Sequence, residues 1–411
     1  MSVTAGADHD VVVVGAGMVG ATLACALADA GLRVCLIENT PPRPPGADDP
    51  PAARVSTLSA ASRHILENLG LWQGLLSERA SPVARMDVWD GPRAEGRRIV
   101  FEAAELGQDA LAHVTENELL RATAISRLER LSAVTLLMPA RLTLIERGAD
   151  SLMRLTLEDG REISASLVVG ADGPASPVRR LAGIGSHGRA YERRGVVATV
   201  YADESHLGTA WQHFLADGPV ALLPVYDGGY SIVWSTTPAH AERLEGMTED
   251  EFCAELQQVT EGAAGAITGS GPRLDFPLHF RRADQCVMPG VALVGDAAHV
   301  VHPLAGQGAN LGLMDVAALV AAITAGRERG DLPGELPVLE AWVRARESDN
   351  LLMGLTMDGF HRLFGNNHPA LQWLRGQGLA LTDRAWPLKH QIMTRVMGLH
   401  DKLPPLATKK H

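Results

Sequence analysis

Cysteine is scarce in this chain, and so is positive charge. Its 411 residues include four cysteines, Cys25, Cys35, Cys253 and Cys286. They show neither CxxC spacing nor the density of a disulfide framework, which fits a reducing compartment and excludes a dithiol redox pair. Lys and Arg number 37 against 48 Asp and Glu, a formal net charge of −11. No long basic run breaks that balance before the C-terminus, so nucleic acid is excluded as a partner. Metal-ligand spacing is missing as well: the 15 histidines are scattered, and His361 and His368 have no partners at a zinc spacing. Met1 to Asp10 lacks the basic region of a secretory leader, which predicts a cytoplasmic protein. No internal repeat is evident. What the chain does have is apolar residues, 46% of the total, enough for a substantial core spread over two or three domains.

One apolar stretch, Val11 to Ala28, has nearly the length of a membrane span. Gly15, Gly17 and Gly20 interrupt it and suggest something else. Asp10 to Val14 reads as a buried strand running into Gly15-Ala16-Gly17-Met18-Val19-Gly20 and then the helical stretch Ala21 to Ala30. A second strand, Arg33 to Ile37, ends at Glu38, eighteen residues past Gly20. This order matches the dinucleotide fingerprint: glycines turn the chain and admit a pyrophosphate, and the acid accepts the hydroxyls of a ribose. A carboxylate at that position repels a 2′-phosphate.

The most informative run is Val291 to Asp315, which reads as a buried strand, a Gly295-Asp296 turn and a glycine-rich entry into a helix. Asp296 falls where a parallel strand ends, the ligand edge of an open α/β sheet. Its carboxylate is suited to ribityl hydroxyls. Gly306, Gly308 and Gly312 flank Gln307, Ala309 and Asn310, so backbone can approach a planar ring while the helix start offers unpaired N–H groups. Those donors and the helix dipole favour negative charge on a reduced isoalloxazine.

Together these segments resemble the class A flavoprotein monooxygenases, the family of para-hydroxybenzoate hydroxylase, in which the FAD site is assembled from the beginning, middle and end of the chain. Leu167-Val168-Val169-Gly170-Ala171-Asp172-Gly173 looks like the family's middle segment. The resemblance implies that Asp172 and Gly173 lie near FAD and the nicotinamide cofactor, and that Arg54 lies near the flavin. Within the class the chain is similar, over nearly its whole length, to the ubiquinone-biosynthesis hydroxylases of the UbiH, UbiF and VisC (UbiI) group. The phrases that carry this are Arg54-Val55-Ser56 with Ala61-Ser62, Leu69-Gly70-Leu71-Trp72, Glu116-Asn117, Trp211-Gln212-His213-Phe214, Ser231-Ile232-Val233-Trp234 and His302-Pro303-Leu304-Ala305-Gly306-Gln307-Gly308. Phe101 to Leu106 and Ala182 to Gly185 lean toward the UbiF type, Met86 to Asp90 toward the UbiI type. Pro174-Ala175-Ser176 departs from the group's usual Ala-Asn-Ser and removes a side-chain amide.

The expected architecture is α/β, α+β overall: a Rossmann-like FAD-binding domain (residues 1–79, 112–184 and 290–350) interleaved with an antiparallel-sheet substrate domain (80–111 and 185–289), then a C-terminal helical region (351–411). Pro41 to Pro45 with Pro50-Pro51 predicts a stiff loop after the second strand. Leu152 to Leu157 alternates, turns at Asp159-Gly160 and returns through Ile163 as a hairpin arm. Val196 to Tyr201, Val220 to Tyr226 and Tyr230 to Ser235 read as strands, and Thr248 with Glu251 as a capping box for a helix bearing Phe252, Leu256 and Val259. Trp211, Phe214, Leu223, Pro224 and Trp234 are candidates for the roof of an aromatic pocket.

The chemistry implied by the resemblance is reduction of FAD by NAD(P)H and transfer of one oxygen atom from O₂ to a hydroxyl-activated ring of a prenylated aromatic substrate. The protein's share is to hold the ring, exclude water and assist a deprotonation. His299 and His302 are the candidates for acid/base work, and the Pro303 carbonyl for fixing ring geometry. Two other readings share the scaffold or the setting: a prenyl-chain reductase, and a non-catalytic FAD-bearing subunit of a quinone-synthesis complex. A halogenase is disfavoured, since no Trp-x-Trp occurs. Residues 359–411 carry a net +6 against −17 for the remainder. That asymmetry, with Leu388, Ile392, Val396 and Leu399 at helical spacing and Phe364, Trp373 and Trp386 nearby, predicts peripheral membrane contact at the inner face, or else packing of the same residues as a C-terminal helix on the FAD domain or at a subunit contact of a homo-oligomer.

Overall fold

The structure is a computed structural model and describes residues 6–46, 48–95, 97–300, 307–346, 382–383, 385–399 and 403–409. His302, Pro303, Gly306, Phe364 and Trp373 lie outside the described residues, as do the side chains of Gln307, Leu388 and Val396.

Val11, Val12 and Val13 form an unbroken apolar run because their strand is covered on both faces. The strand His9–Val14 lies at the centre of five parallel strands, in the order Val291–Leu293, Glu162–Gly170, His9–Val14, Val34–Ile37 and Val134–Leu137. Helices Met18–Asp29, Asn117–Leu128 and Gln307–Arg329 cover one face, packing Leu23, Leu27, Ile125, Leu313 and Leu319 against Val11, Val13, Leu36 and Val169. The hairpin arm Leu142–Arg147 and Met153–Leu157 covers the other. It joins the sheet through Glu162–Gly170, after a turn in which Gly160 takes φ +85°. Val11 to Ala28 is therefore a strand, a turn and a helix. Among the described residues, one helix, Gly308–Arg329, is long and apolar enough to cross a membrane by length and composition, and more than half of it is buried inside the fold.

The second sheet has nine strands and is mostly antiparallel. Its longest strand, Ser186–Ala202, begins ten residues before the apolar run at Val196, because its first half is an exposed polar ribbon paired with Leu274–Ala283. Such a ribbon has no apolar alternation to announce it. The capping box at Thr248 and Glu251 is present, and the helix Glu249–Val259 buries Phe252 and Leu256 against Trp234, Ile232 and Val200.

That packing corrects the expected roof. Side chains alternate across a strand, so Trp211 and Phe214, three residues apart, face opposite ways. Trp211 and Trp234 belong to the helix-covered face. Phe214 packs with Val88 and Ile99, and Leu223 with Ala210, Val83 and Val114, on the other.

The C-terminal helix Trp386–Val396 packs against the fold, and Leu399 of the expected stripe joins that contact. Among its described side chains the buried ones are Lys389 and Met393, with Met397 just beyond, packed against Ala103 and Leu111. The Lys389 ammonium reaches Glu105 at 2.8 Å and Asp383 at 3.4 Å, so this cation is neutralised within the fold. Trp386 is 58% exposed and Ile392 37%.

Candidate active site

Three glycines at the end of the first strand each meet a different steric demand. Gly15 has φ +98°, and a Cβ there would lie 2.5 Å from the Ala171 carbonyl oxygen. A Cβ on Gly20 would fall 1.9 Å from the Gly15 oxygen, so this residue lets the helix press against the turn. Around a Cβ on Gly17 there is nothing within 4 Å. That open position stands at the N-cap of Met18–Asp29, where no side chain caps the helix and no acid occupies the first turn. Free N–H groups at a helix start beside open space suit a pyrophosphate.

Glu38 stands one residue beyond Val34–Ile37, at the carboxyl edge of the sheet. Its two oxygens accept from the Ala16 N–H at 2.7 Å and the Thr40 N–H at 2.9 Å. Each carboxylate oxygen keeps a second lone pair for a ribose hydroxyl. Arg121, which the fingerprint does not include, joins this corner: its Nε donates to the Ala16 carbonyl at 2.8 Å, another guanidinium nitrogen donates to the Thr40 carbonyl, and its charge lies 4.0 Å from Glu38. It comes from a helix 81 residues beyond Thr40 and 105 beyond Ala16, and its local sign is the Glu118/Arg121 pair at i,i+3.

Gly295 takes φ +57° and ends the strand Val291–Leu293 in a turn that exposes Asp296. The Asp296 carboxylate has no hydrogen-bond partner among the described residues. It is exposed near the start of Gln307–Arg329, where a Cβ on Gly308 would lie 3.9 Å from Asp296 Oδ1. Desolvation raises its pKa, with His299 and Arg54 pulling the other way. The Arg54 guanidinium is 5.8 Å from the centre of the Phe276 ring. An orphaned carboxylate, a cradle left open by Gly17 and an uncapped helix start are what an FAD requires, and the donor set fits it.

Three of the expected site residues, Asp172, Asn310 and His299, have other work for their side chains. The Asp172 carboxylate caps a short helix, accepting from Val178 N at 2.8 Å and from the Ser176 hydroxyl at 2.5 Å; burial raises its pKa and these bonds oppose the rise. What faces the glycine turn is its backbone, with Cα 2.7 Å from a Cβ placed on Gly15. Gly173 takes φ +79° with open space around it. Asn310 is tied to protein on three sides, accepting from Ser59 N and the Ser62 hydroxyl and donating to the Thr57 carbonyl at 2.7–2.8 Å, which makes it an anchor between the long helix and residues 57–62. His299, expected as an acid/base candidate, has Nε2 2.7 Å from Asp315 Oδ2.

Asp315 itself had no place in the sequence reading. Buried at 1% exposure, it accepts from Gly295 N at 3.1 Å, pairs with His299, and takes the Arg346 Nε at 2.9 Å. Burial alone would raise its pKa, but the charges and hydrogen bonds of His299 and Arg346 outweigh that and hold it below the usual carboxylate range. The network pins the turn that presents Asp296.

Several phrases that carry the resemblance also meet in space. Val55–Ser59 pairs antiparallel with Ala112–Glu116, the Ser56 hydroxyl donates to Asn117 Oδ1 at 2.7 Å, and Glu116 forms a buried pair with Arg79 at 2.7 Å.

Comparison with known proteins agrees with this geometry. A family model described as an FAD binding domain matches residues 8–331, and one described as squalene epoxidase matches residues 273–400. The fold is that of p-nitrophenol 4-monooxygenase from Pseudomonas putida, with TM-score 0.76 at 20% identity, covering 98% of this chain and 99% of that one. The chain belongs to the class A FAD-dependent monooxygenases and, within them, to the ubiquinone-biosynthesis hydroxylases. It is 40% identical over 390 residues to 3-demethoxyubiquinol 3-hydroxylase of Escherichia coli, covering 95% of this chain and 98% of that one. It is 39% identical over 402 residues to ubiquinone hydroxylase UbiL of Rhodospirillum rubrum, covering 96% and 91%.

Proposed function

We propose that this chain hydroxylates the aromatic ring of a polyprenylated phenol or benzoquinol, with NAD(P)H as reductant. One oxygen atom of O₂ enters the ring in place of hydrogen, the other leaves as water, and NAD(P)H supplies the two electrons. The observation that supports this reading is the meeting of two surfaces at Arg54. On one side is Asp296, at the edge of the parallel sheet and without a hydrogen-bond partner among the described residues; on the other, Phe276 begins the face of the second sheet that carries Val197, Val233, Leu223 and Phe214.

Bound FAD would carry electrons and activate oxygen. The residues divide the remaining tasks. Gly15, Gly17 and Gly20 with the helix N-terminus receive the pyrophosphate, Glu38 the adenosine ribose, and Asp296 the ribityl hydroxyls. Arg54, Gly295, Gly308 and the backbone at Asp172 and Gly173 border the ring system. His302, Pro303, Gly306 and Gln307 belong to the same reading on sequence grounds. His299 holds the turn through Asp315. The apolar sheet face excludes water and seats the prenylated ring. In this reading residues 1–79, 112–184 and 290–350 bind FAD, and 80–111 with 185–289 bind substrate. Exposed Trp386 and Ile392 are the contact with a bilayer; sedimentation with anionic vesicles should fall on Trp386→Ser, and unchanged sedimentation would remove this helix from the contact.

Isotope labelling tests the reaction class. Under ¹⁸O₂ the hydroxylated product should gain one labelled oxygen, and label arriving from H₂¹⁸O instead would refute a monooxygenase.

A further inference from the structure

Gln212 lies in the middle of the strand Thr209–Leu215, and its neighbours fix where it points. His213 faces the helix-covered side, its ring nitrogens 2.6 Å from the Val259 carbonyl and 3.2 Å from that of Gly91, and its ring stacked on Trp89. Ala210, two residues before Gln212, packs with Val55, Val114, Leu223 and Val233. By alternation Gln212 shares the face of Ala210.

The strand register then gives its surroundings. Across the sheet Gln212 stands in a row with Val88, Ala221, Val233 and Val197, all apolar. In the row on one side, Ser231 and Thr199 donate to the carbonyls of Ala53 and Pro51, so this face abuts the segment leading into Arg54. The row on the other side runs through Phe214 and Gly195 to Phe276, the ring beneath Arg54. Gln212 is 6% exposed, and its amide has no hydrogen-bond partner among the described residues. Ser235, also on this face, sits at the turn against Gly218 instead. Its amide is not among the fully buried polar atoms, so it stays open to solvent or to a ligand on a face that is otherwise mostly apolar.

We propose that Gln212 orients the substrate ring: its amide hydrogen-bonds a ring oxygen and so selects which ring carbon is presented for hydroxylation. The inference rests on the hydroxylase reading above. An amide carries both donor and acceptor and can serve a phenol in either sense. A site built to bond an oxygen discriminates against an analogue that lacks it, because the amide is then left unpaired.

The test titrates the FAD-loaded enzyme with 2-farnesylphenol and with farnesylbenzene, following perturbation of the flavin absorbance. Wild type should bind the phenol about tenfold more tightly, the value of one such hydrogen bond, and Gln212→Leu should bring the two within about twofold while retaining FAD. The same variant should yield less hydroxylated product and more H₂O₂ per NAD(P)H consumed. A preference for the phenol that survives in Gln212→Leu, or is absent from wild type, overturns the proposal. Should Gln212→Leu lose FAD, Gln212→Asn replaces it: the shorter amide should lower the preference, and a preference equal to wild type overturns the proposal again. Wild type that binds the phenol but inserts no oxygen from O₂ refutes the hydroxylase reading instead, and leaves the binding comparison to decide Gln212.

Discussion

Replacing Asp315 by Asn should expose how strongly the cofactor turn depends on one buried charge. The carboxylate is 1% exposed and serves three donors, Gly295 N, His299 Nε2 and Arg346 Nε. Asn is isosteric, but its amide can accept at one end only and carries no charge, so Arg346, itself 4% exposed at the pair, loses its ion pair with residue 315. Breaking a buried pair from one side costs about 3–5 kcal/mol, a large part of the roughly 5–15 kcal/mol that holds a domain together. Urea unfolding followed by tryptophan fluorescence should show the midpoint lowered with the slope unchanged. Acid dependence supplies a second readout. The folded pKa of Asp315 is depressed, so its contribution is full above the unfolded value of about 3.9 and is lost as pH falls through the folded value. The gap between wild type and Asp315→Asn should therefore be widest near neutrality and shrink below about pH 4. A midpoint equal to wild type at neutral pH, or a gap that grows on acidification, would refute the account.

Two further outcomes separate cofactor binding from folding. Asp296→Ala should lose FAD while keeping its thermal midpoint, with affinity lowered roughly tenfold to over a hundredfold for the loss of a charge-assisted bond of about 1.5–3 kcal/mol; retention of flavin on gel filtration, as in wild type, would remove Asp296 from the site. Gly17→Ala and Gly20→Ala should differ in kind. At Gly17 the added methyl meets nothing within 4 Å, so the melting curve should hold and FAD binding should fail, whereas at Gly20 it meets a backbone oxygen at 1.9 Å, so stability and FAD should fail together. Equal melting temperatures for the two variants would contradict that division.

The parts of this fold that were legible in sequence are those set by local sterics. Gly15 and Gly20 announce the turn because no other residue fits it, and the buried strands His9–Val14 and Val34–Ile37 announce themselves as apolar runs. Thr248 and Glu251 could be read as a cap because both halves lie within four residues. The Asp315 network was not legible: its members are separated by 20 residues on one side and 31 on the other, and only packing of the long helix brings them together. Arg121 was hidden for the same reason. The aromatic roof failed on strand parity, which composition does not reveal: Trp211 and Phe214 look like one cluster in the sequence and lie on opposite faces of the sheet. Lys389 looked like a cation for lipid until its partners Glu105 and Asp383 were in view.

The order of the parallel strands has a consequence for how the protein is made. His9–Val14 takes its neighbour on one side from Glu162–Gly170, which in turn needs Val291–Leu293. A ribosome adding about 5–20 residues each second takes roughly fifteen seconds to a minute between Gly15 and Asp296. During that interval the glycine turn exists without the far wall of its own site, and the nascent chain cannot yet grip both ends of a dinucleotide. Cofactor capture is therefore a late event in the life of each molecule, and a messenger cut before the Asp296 codon should yield a polypeptide that never turns yellow.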